Sequence, residues 1–505
     1  MTIASIARSF VAICMVATTL LPTSFAQAQL PSLGDGTDLS PGAERRLGDR
    51  IIRELYRDPD YLDDPVIVEY VLGIWQPLLT AARVRGDLSP ELGERFAWRI
   101  LLGRDRSVNA FALPGGYLGL HLGLVGVVTS RDELASVLAH ELSHVTQRHV
   151  SRLMSKQDRL APWVLGSMVL AAIAASKNPE LANAVMVTGQ AAAAQSQINF
   201  TREMEQEADR IGFGVLNQAG FEPRGFVTMF EKLEQANRLN DNGSFPYLRS
   251  HPLTAARISD MRARMPVGAH GGSAAAPQLV HALVSARARV LANPGADLLR
   301  AWAAEPGTTG FDALPAWRRA AALYAAALAN ARLLDFTRAT ALATALRLAT
   351  AADPEALRQA RTLSAEIALS AGDLEAAARW LGGAATPLLR PERLLLAQIH
   401  GRAGHPAQAV DLLQPWVADE PLDASAWTLL SAAYDAQGQG LRALRAAGEA
   451  QMALLDYAGA VDRFKAARAI ADKGALAAAD HVEASIIDTR LRRAEELLRE
   501  QALER

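Results

Sequence analysis

Hydrophobic and polar residues follow three different patterns along this chain of 505 residues. The chain opens with a short apolar run, continues with a region of mixed helical spacing, short strands and turns, and finishes with helical spacing throughout. A stretch rich in Gly and Ala separates the last two patterns. These patterns predict a mainly α protein with a signal peptide at 1–28, an α+β domain at 29–265, a linker at 266–280 and an all-α helical repeat domain at 281–505.

The apolar run at the amino terminus has the layout of a secretory signal. Arg8 supplies a positive charge before the run, which extends from Phe10 to Leu21. Ala26-Gln27-Ala28 follows as a cleavage site of small residues. We therefore predict export, with a mature chain that starts at Gln29. Cleavage after Ala26 is the alternative.

Composition narrows the chemistry of the mature chain. The single cysteine, Cys14, lies inside the predicted signal, so any metal site must use His, Asp or Glu. A net charge of −2 gives no sign of a nucleic-acid partner. Residues 161–175 are apolar but shorter than the roughly 20 residues of a membrane-spanning helix. We expect a buried helix or flap there, with peripheral contact to a membrane surface or a hydrophobic client as the alternative.

The helical domain repeats a short turn followed by a helix with alanine at a fixed offset. The five alanines at this offset are Ala339, Ala377, Ala409, Ala443 and Ala460. The middle spacings, 32 and 34 residues, are close to the 34-residue period of tetratricopeptide hairpins. A small residue at this offset lets two helices approach closely, so the repeats predict a tetratricopeptide-like solenoid. An ordinary Ala-rich helical bundle is the alternative.

One predicted helix carries the strongest chemical motif, His140-Glu141-Leu142-Ser143-His144. Ser130 and Glu133 form a capping box before it, and apolar residues continue at helical spacing. On a helix, positions i and i+4 lie on the same face, so His140 and His144 can bind one zinc ion. Glu141 is then placed to take a proton from zinc-bound water. Two surface histidines on an amphipathic helix are the alternative.

A catalytic zinc site needs a third protein ligand. A second helix is predicted from Thr201, and its Glu205 and Asp209 share one face because they are four residues apart. We predict Glu205 as the third ligand and Asp209 as the carboxylate that fixes the tautomer of a zinc-bound histidine. Glu203 and Glu207 are rival ligands on other faces of this helix.

The two motifs together resemble the gluzincin peptidases related to the CAAX prenyl protease and HtpX. Residues 109–117 are also similar to the strand-turn-strand that precedes the zinc helix in those peptidases. With its leader and repeats, the chain is similar to their soluble periplasmic branch, which assists the assembly of outer-membrane beta-barrels. The resemblance implies a zincin-type endopeptidase with one Zn²⁺ on His140, His144 and Glu205. It also implies Glu141 as general base and then acid, and Asp209 as a residue that orients a ligand.

The same resemblance implies a location and partners. It places the protein in the periplasm, where it acts in outer-membrane protein quality control and degrades misassembled beta-barrel proteins. The repeat domain is then expected to bind these unfolded clients or the beta-barrel assembly machinery. The alternative is a chaperone or assembly scaffold with a normally latent peptidase.

Three further histidines need an interpretation. His251 lies in a turn before Pro252, and we expect it either to stabilise the oxyanion of the reaction or to close the site as a fourth zinc ligand. A purely structural histidine is the third possibility. His121 is expected to be packed or on the surface, and His149 to be a solvated helix residue. The resemblance implies a supporting role for Arg257.

The strand that ends at His121 also has a predicted use. Its residues 117–120 could accept a substrate as an added strand, and backbone hydrogen bonds would then align the scissile bond with little sequence preference.

Overall fold

A computed structural model of the chain describes residues 39–155, 201–238, 245–265, 278–292, 295–382, 387–473 and 478–503. The predicted signal peptide and the apolar run at 161–175 lie outside these residues, as does most of the predicted linker. The signal peptide, the use of the apolar run and the domain boundaries therefore stay predictions.

The described residues up to Arg264 combine helices with a small sheet. In chain order the elements are α1 (Pro41–Arg57), β1 (Tyr61–Leu62), α2 (Pro65–Arg85), α3 (Pro90–Arg95), β2 (Arg99–Gly103), β3 (Ala110–Leu113), β4 (Tyr117–His121), α4 (Leu122–Val127), α5 (Arg131–Thr146), α6 (His149–Ser155), α7 (Arg202–Gln218), α8 (Arg224–Arg238), α9 (Tyr247–Ser250) and α10 (Ala255–Arg264). The predicted strand-turn-strand is present as β3 and β4.

The four strands form one sheet in the order β1-β2-β4-β3. Strands β2 and β4 run parallel, whereas the two outer pairs are antiparallel. The prediction that a substrate adds to residues 117–120 is wrong, because β4 has a hydrogen-bonded neighbour on each side. Among the described strands, β1 and β3 lie at the two edges of the sheet, and β3 contacts α5.

Helix α2 forms the centre of the peptidase core. Asp64 caps its first turn by accepting a hydrogen bond from the amide of Ile67 at 2.9 Å. Its apolar residues, among them Ile74, Trp75 and Leu78, are fully buried. By length and composition alone, α2 is the one described helix that could cross a membrane. Its burial against the sheet and α5 is that of a core helix.

The remaining described residues are helical. In chain order these helices are α11 (Leu279–Leu291), α12 (Ala296–Ala304), two 3-10 turns (Glu305–Gly307 and Phe311–Ala313), α13 (Ala316–Arg332), α14 (Phe336–Ala349), α15 (Pro354–Ala371), α16 (Leu374–Leu381), α17 (Arg390–Arg402), α18 (Pro406–Asp419), α19 (Ala424–Ala436), α20 (Gly440–Ala453), α21 (Tyr457–Lys473) and α22 (Ala478–Leu503). The predicted fold class, an α+β zincin-type domain followed by an all-α region, is confirmed.

The repeated alanines explain how neighbouring helices of this region pack. Each of the five is buried near the start of a helix: Ala339, Ala377, Ala409, Ala443 and Ala460. The turn before each of these helices contains a residue with positive φ: Leu334, Gly372, Gly404, Gly438 and Leu455. The same left-handed turn therefore recurs at every repeat, and the turn type is set by backbone geometry rather than by glycine alone. The assignment to tetratricopeptide repeats stays a prediction.

Helix α11 belongs to the peptidase core and to the repeat region at once. It packs against α4 on one side and α13 on the other. His281 of α11 accepts a hydrogen bond from the Tyr70 hydroxyl at 2.7 Å and donates to the Val128 carbonyl at 2.9 Å. One hydrophobic cluster consequently continues from Ile67 to Ile367.

Two arginines tie the repeat region to adjacent aspartates just before α2. Arg287 binds Asp64 through two nitrogens, with a shortest distance of 2.7 Å, and Arg390 binds Asp63 at 2.6 Å. Arg390 also binds Asp423, the N-cap residue of α19, at 2.8 Å. Buried charges of this kind are tolerated only when they are paired, so these bonds fix how the two regions meet.

Candidate metal centre

Helix α5 holds the two histidines of the His-Glu-x-x-His motif. The Ser130 hydroxyl accepts from the Glu133 amide at 3.1 Å, and the Glu133 carboxylate accepts from the Thr129 amide at 2.7 Å. This start is a capping box in which the glutamate reaches one residue further back than usual. One turn apart and fully enclosed, His140 and His144 bring their Nε2 atoms to 3.0 Å.

Helix α7 brings Glu205 against these two imidazoles. Its carboxylate oxygens lie 3.5 Å from the His140 Nε2 and 3.4 Å from the His144 Nε2. Close packing of α7 on α5 depends on Gly212, where a Cβ atom would lie 3.0 Å from the Ala139 carbonyl oxygen. Glu205 therefore lies where a third ligand would, whereas its rivals Glu203 and Glu207 are not among the side chains whose donor atoms cluster here.

His251 completes the group from the turn between α9 and α10. Its Nδ1 lies 3.0 Å from a Glu205 oxygen and 3.3 Å from the His140 Nε2. Tyr247 stacks on the His251 ring at 4.6 Å between centroids. Donor atoms of four buried side chains, His140, His144, Glu205 and His251, thus lie within 4.8 Å of one another. This placement argues against a His251 that only shapes a turn.

Asp209 and Arg257 support the group from behind. The Asp209 carboxylate lies 3.0 Å from the His140 Nδ1, the contact predicted from the sequence. Arg257 donates two hydrogen bonds to Asp209, at 2.7 and 2.8 Å, and lies 2.7 Å from Glu205. Burial alone would raise the pKa of Asp209, but its bonds to Arg257 and His140 hold this pKa below its ordinary value. Asp209 is therefore a carboxylate that can fix the His140 tautomer.

The electrostatics of His140 follow from the same carboxylates. Burial favours the neutral ring, but hydrogen bonds to Asp209 and Glu205 raise the pKa of His140 to about 9. A metal ion that binds His140 must therefore displace a proton at neutral pH.

Glu141 is the buried carboxyl without a hydrogen-bond partner in this centre. It is completely enclosed, and no donor among the described residues meets hydrogen-bond geometry at either of its oxygens, although the Tyr247 side chain lies close enough to lower its pKa in part. Burial raises the pKa of Glu141, and the His251 Nε2 lies 3.5 Å from one of its oxygens. A buried carboxyl with unfilled acceptors and a raised pKa is suited to exchange a proton with a molecule at the centre.

His149 differs from the sequence prediction. It is fully buried rather than solvated, and its Nδ1 lies 2.9 Å from the His144 Nδ1. Its Nε2 lies 3.0 Å from Glu207, and burial lowers the pKa of His149 to about 4. The prediction assumed one continuous helix, but α5 ends at Thr146 and Arg148 turns the chain with a φ of 53°.

His121 is buried, which is one of the two environments predicted for it. Its Nδ1 lies 2.9 Å from the Ser107 hydroxyl, and His121 is not part of the donor group. The sequence analysis did not predict Tyr247 as a site residue, because an aromatic residue four positions before a histidine belongs to no known motif.

The donors fit a zinc ion. Imidazole nitrogens and a carboxylate oxygen are ligands that zinc takes, and the unpartnered Glu141 carboxyl lies beside them. Asp209 and His149 occupy the second nitrogens of the two motif histidines, which leaves Nε2 of each facing the donor group.

Comparison with known proteins agrees with this centre. Residues 91–265 match peptidase family M48. The chain is 32% identical over 451 residues to the beta-barrel assembly-enhancing protease of Escherichia coli (strain K12), and the match covers 85% of each chain. It is 35% identical over 262 residues to a putative beta-barrel assembly-enhancing protease of Vibrio cholerae, or 51% of this chain and 52% of the relative. The mitochondrial metalloendopeptidase OMA1 of Arabidopsis thaliana is 34% identical over 161 residues, 32% of this chain and 30% of the relative.

A buried helix with two histidines and a glutamate, completed by a second glutamate from a neighbouring helix, defines a zinc metalloendopeptidase. The long match at 32% identity narrows this class. The chain belongs to the beta-barrel assembly-enhancing proteases of peptidase family M48.

Proposed function

We propose that this zinc metalloendopeptidase works in the periplasm, in quality control and assembly of outer-membrane proteins, and degrades misassembled beta-barrel proteins. The observation that carries the proposal is the enclosed donor group beside an unpartnered Glu141, on a chain similar over 85% of its length to a beta-barrel assembly-enhancing protease. The name of this relative supports beta-barrel proteins as the client class.

His140, His144 and Glu205 would hold the metal in this proposal. When bound, zinc polarises a peptide carbonyl and lowers the pKa of a coordinated water to about 7. Glu141 accepts the proton of the attacking water and later gives it to the leaving amine, for which its raised pKa is suited. Asp209 keeps His140 in the tautomer with Nε2 free.

A substrate would enter as an extended chain. Strand β3 is at one edge of the described sheet and contacts α5, so an added strand would pair with β3 rather than with β4, where the sequence analysis placed it. A folded domain has few unpaired strands to offer, so this edge supports selection of unfolded or misassembled outer-membrane proteins. The repeat region would bind such clients or the assembly machinery.

The position of His251 favours a second candidate, a chaperone or scaffold whose peptidase is latent. A zinc site with four protein ligands has no open position and cannot hydrolyse a peptide. The His251 Nδ1 lies among the other three donors, as a fourth ligand requires. The same ring lies 3.5 Å from Glu141, where it could instead stabilise the oxyanion.

One experiment separates these functions. The mature chain is incubated with an unfolded outer-membrane protein, its zinc content is measured, and Glu141→Gln and His251→Ala are run beside it. We expect zinc in all three and no cleavage by Glu141→Gln. A silent wild type that His251→Ala activates supports the latent peptidase, whereas loss of cleavage in His251→Ala supports an oxyanion role. A wild type without zinc, or cleavage by Glu141→Gln at the wild-type rate, refutes the proposed chemistry.

A further inference from the structure

His149 contacts a zinc ligand from the side that faces away from the metal. Its ring is fully buried, and its Nδ1 lies 2.9 Å from the His144 Nδ1. On its other side, His149 Nε2 lies 3.0 Å from a Glu207 oxygen. Glu207 is only partly buried, and Arg152 lies 2.9 Å from the same oxygen. These contacts form a continuous chain from the protein surface to His144.

This series of contacts determines which ring nitrogens of His149 and His144 carry a proton. A carboxylate only accepts hydrogen bonds, so the His149 Nε2 carries a proton toward Glu207. A neutral imidazole with a proton on Nε2 has a lone pair on Nδ1, and the 2.9 Å contact then requires a proton on the His144 Nδ1. The remaining lone pair of His144 is on Nε2, the atom that faces Glu205.

We propose that His149 and Glu207 are positioning residues that hold His144 in its zinc-binding tautomer. The two zinc histidines are then supported in two different ways. Asp209 acts directly on His140, whereas Glu207 acts on His144 through a second imidazole. The inference rests on the zinc site of the proposed function. Glu207, which the sequence analysis considered as an alternative zinc ligand, then supports a zinc ligand without binding the metal itself.

The test measures zinc affinity rather than activity. Apo forms of the full mature chain are titrated with zinc against a chromophoric chelator. We expect about 10- to 100-fold weaker binding in His149→Leu, the usual effect of removing such a support. His149→Asn places an amide oxygen near the position of Nδ1 and should recover part of the loss. Glu207→Gln keeps the contact without the charge and should weaken binding several-fold.

Two variants serve as matched controls. His121→Leu removes another buried histidine, one that contacts Ser107 and is not part of the donor group. Glu203→Gln removes an exposed carboxylate from the same helix as Glu207. Both should bind zinc as the wild type does. Cobalt-loaded His149→Leu should also show a changed visible spectrum, since the orientation of a ligand has changed, and cobalt-loaded His121→Leu should not.

The outcomes are distinct. Equal zinc affinity in wild type and His149→Leu overturns the inference and leaves the proposed function intact. If His149→Leu and His149→Asn lose the same zinc affinity, burial rather than the hydrogen bond matters, and the inference is overturned. If His121→Leu loses as much zinc affinity as His149→Leu, the inference is overturned for the same reason. If His149→Leu does not fold, Glu207→Gln on the surface decides, and wild-type affinity there refutes the relay. A wild type that binds no zinc overturns the inference and the proposed function together.

Discussion

Replacing Arg287 with methionine should destabilise the protein far more than the loss of one surface ion pair. Arg287 is buried, and its guanidinium binds Asp64 at 2.7 Å, Glu366 at 2.8 Å and the Tyr324 hydroxyl at 3.2 Å. Methionine keeps most of the apolar stem and removes the charge. The Asp64 carboxylate then stays buried with the amide of Ile67 as its remaining hydrogen-bond donor among the contacts described above.

The loss of stability in Arg287→Met depends on whether the carboxylates left behind, Asp64 and Glu366, can be hydrated. Removing one member of a buried pair typically costs about 3–5 kcal/mol, because the other charge is left uncompensated. The Asp64 side chain is 7% exposed and takes this cost, whereas that of Glu366 is 34% exposed and can be rehydrated, which adds at most about 1 kcal/mol. We expect a loss of roughly 4 kcal/mol. In Arg287→Met/Asp64→Asn the buried charge is gone and the cap on α2 is kept, so the loss should fall below about 2 kcal/mol.

Equilibrium unfolding in urea measures both variants. With an m-value of roughly 3 kcal/mol/M or more, Arg287→Met should lower the midpoint by about 1 M, and the double variant should recover at least half of this shift. Arg300→Met, which breaks an exposed pair with Asp297, is the control and should leave the midpoint unchanged. Equal midpoints for the single and double variants would refute the role of an uncompensated Asp64.

Three further outcomes are expected. Zinc affinity should rise about tenfold per pH unit from pH 7 to 9, because a proton leaves His140 on binding, and a flat chelator titration would contradict this. Burial would raise the pKa of Asp423, but Arg390 holds it below its ordinary value, so their bond stabilises the protein above about pH 4. Wild type should therefore exceed Asp423→Asn in urea midpoint at pH 7 and lose this advantage as the pH falls through the lowered pKa of Asp423; a constant difference argues against it. Leu334→Gly should raise the thermal midpoint, because Leu334 is exposed at a φ of 65°, whereas Leu348→Gly in α14 should lower it; a loss in both excludes strain at the turn.

The spacing of residues on two predicted helices was enough to predict the centre of the site. His140 with His144, and Glu205 with Asp209, are each four residues apart on one helix, so their faces follow from local geometry. His251 lies 3.0 Å from Glu205 across a long stretch of chain, and spacing alone does not determine such a distance.

The two incorrect predictions have physical causes. The interpretation of His149 extended the periodicity of α5 past Arg148, where the chain reverses. For β4, the sequence indicated a strand but not its neighbours, and a crossover places β2 beside it. Pairing across a crossover depends on tertiary contacts that no local pattern contains.

Helix α11 has a consequence for the time at which the peptidase becomes complete. A chain is made from its amino terminus, and the motif histidines emerge well before residues 279–291. The contacts of His281 with Tyr70 and Val128, and of Arg287 with Asp64, form only when that helix has arrived. We therefore expect chains that stop before residue 278 to be digested rapidly by an added protease, and chains that continue through α13 to resist it. Equal resistance would show that the peptidase matures alone. If the expectation holds, an unfinished chain cannot cut its neighbours, since the start of the repeat region is also the last part of the enzyme.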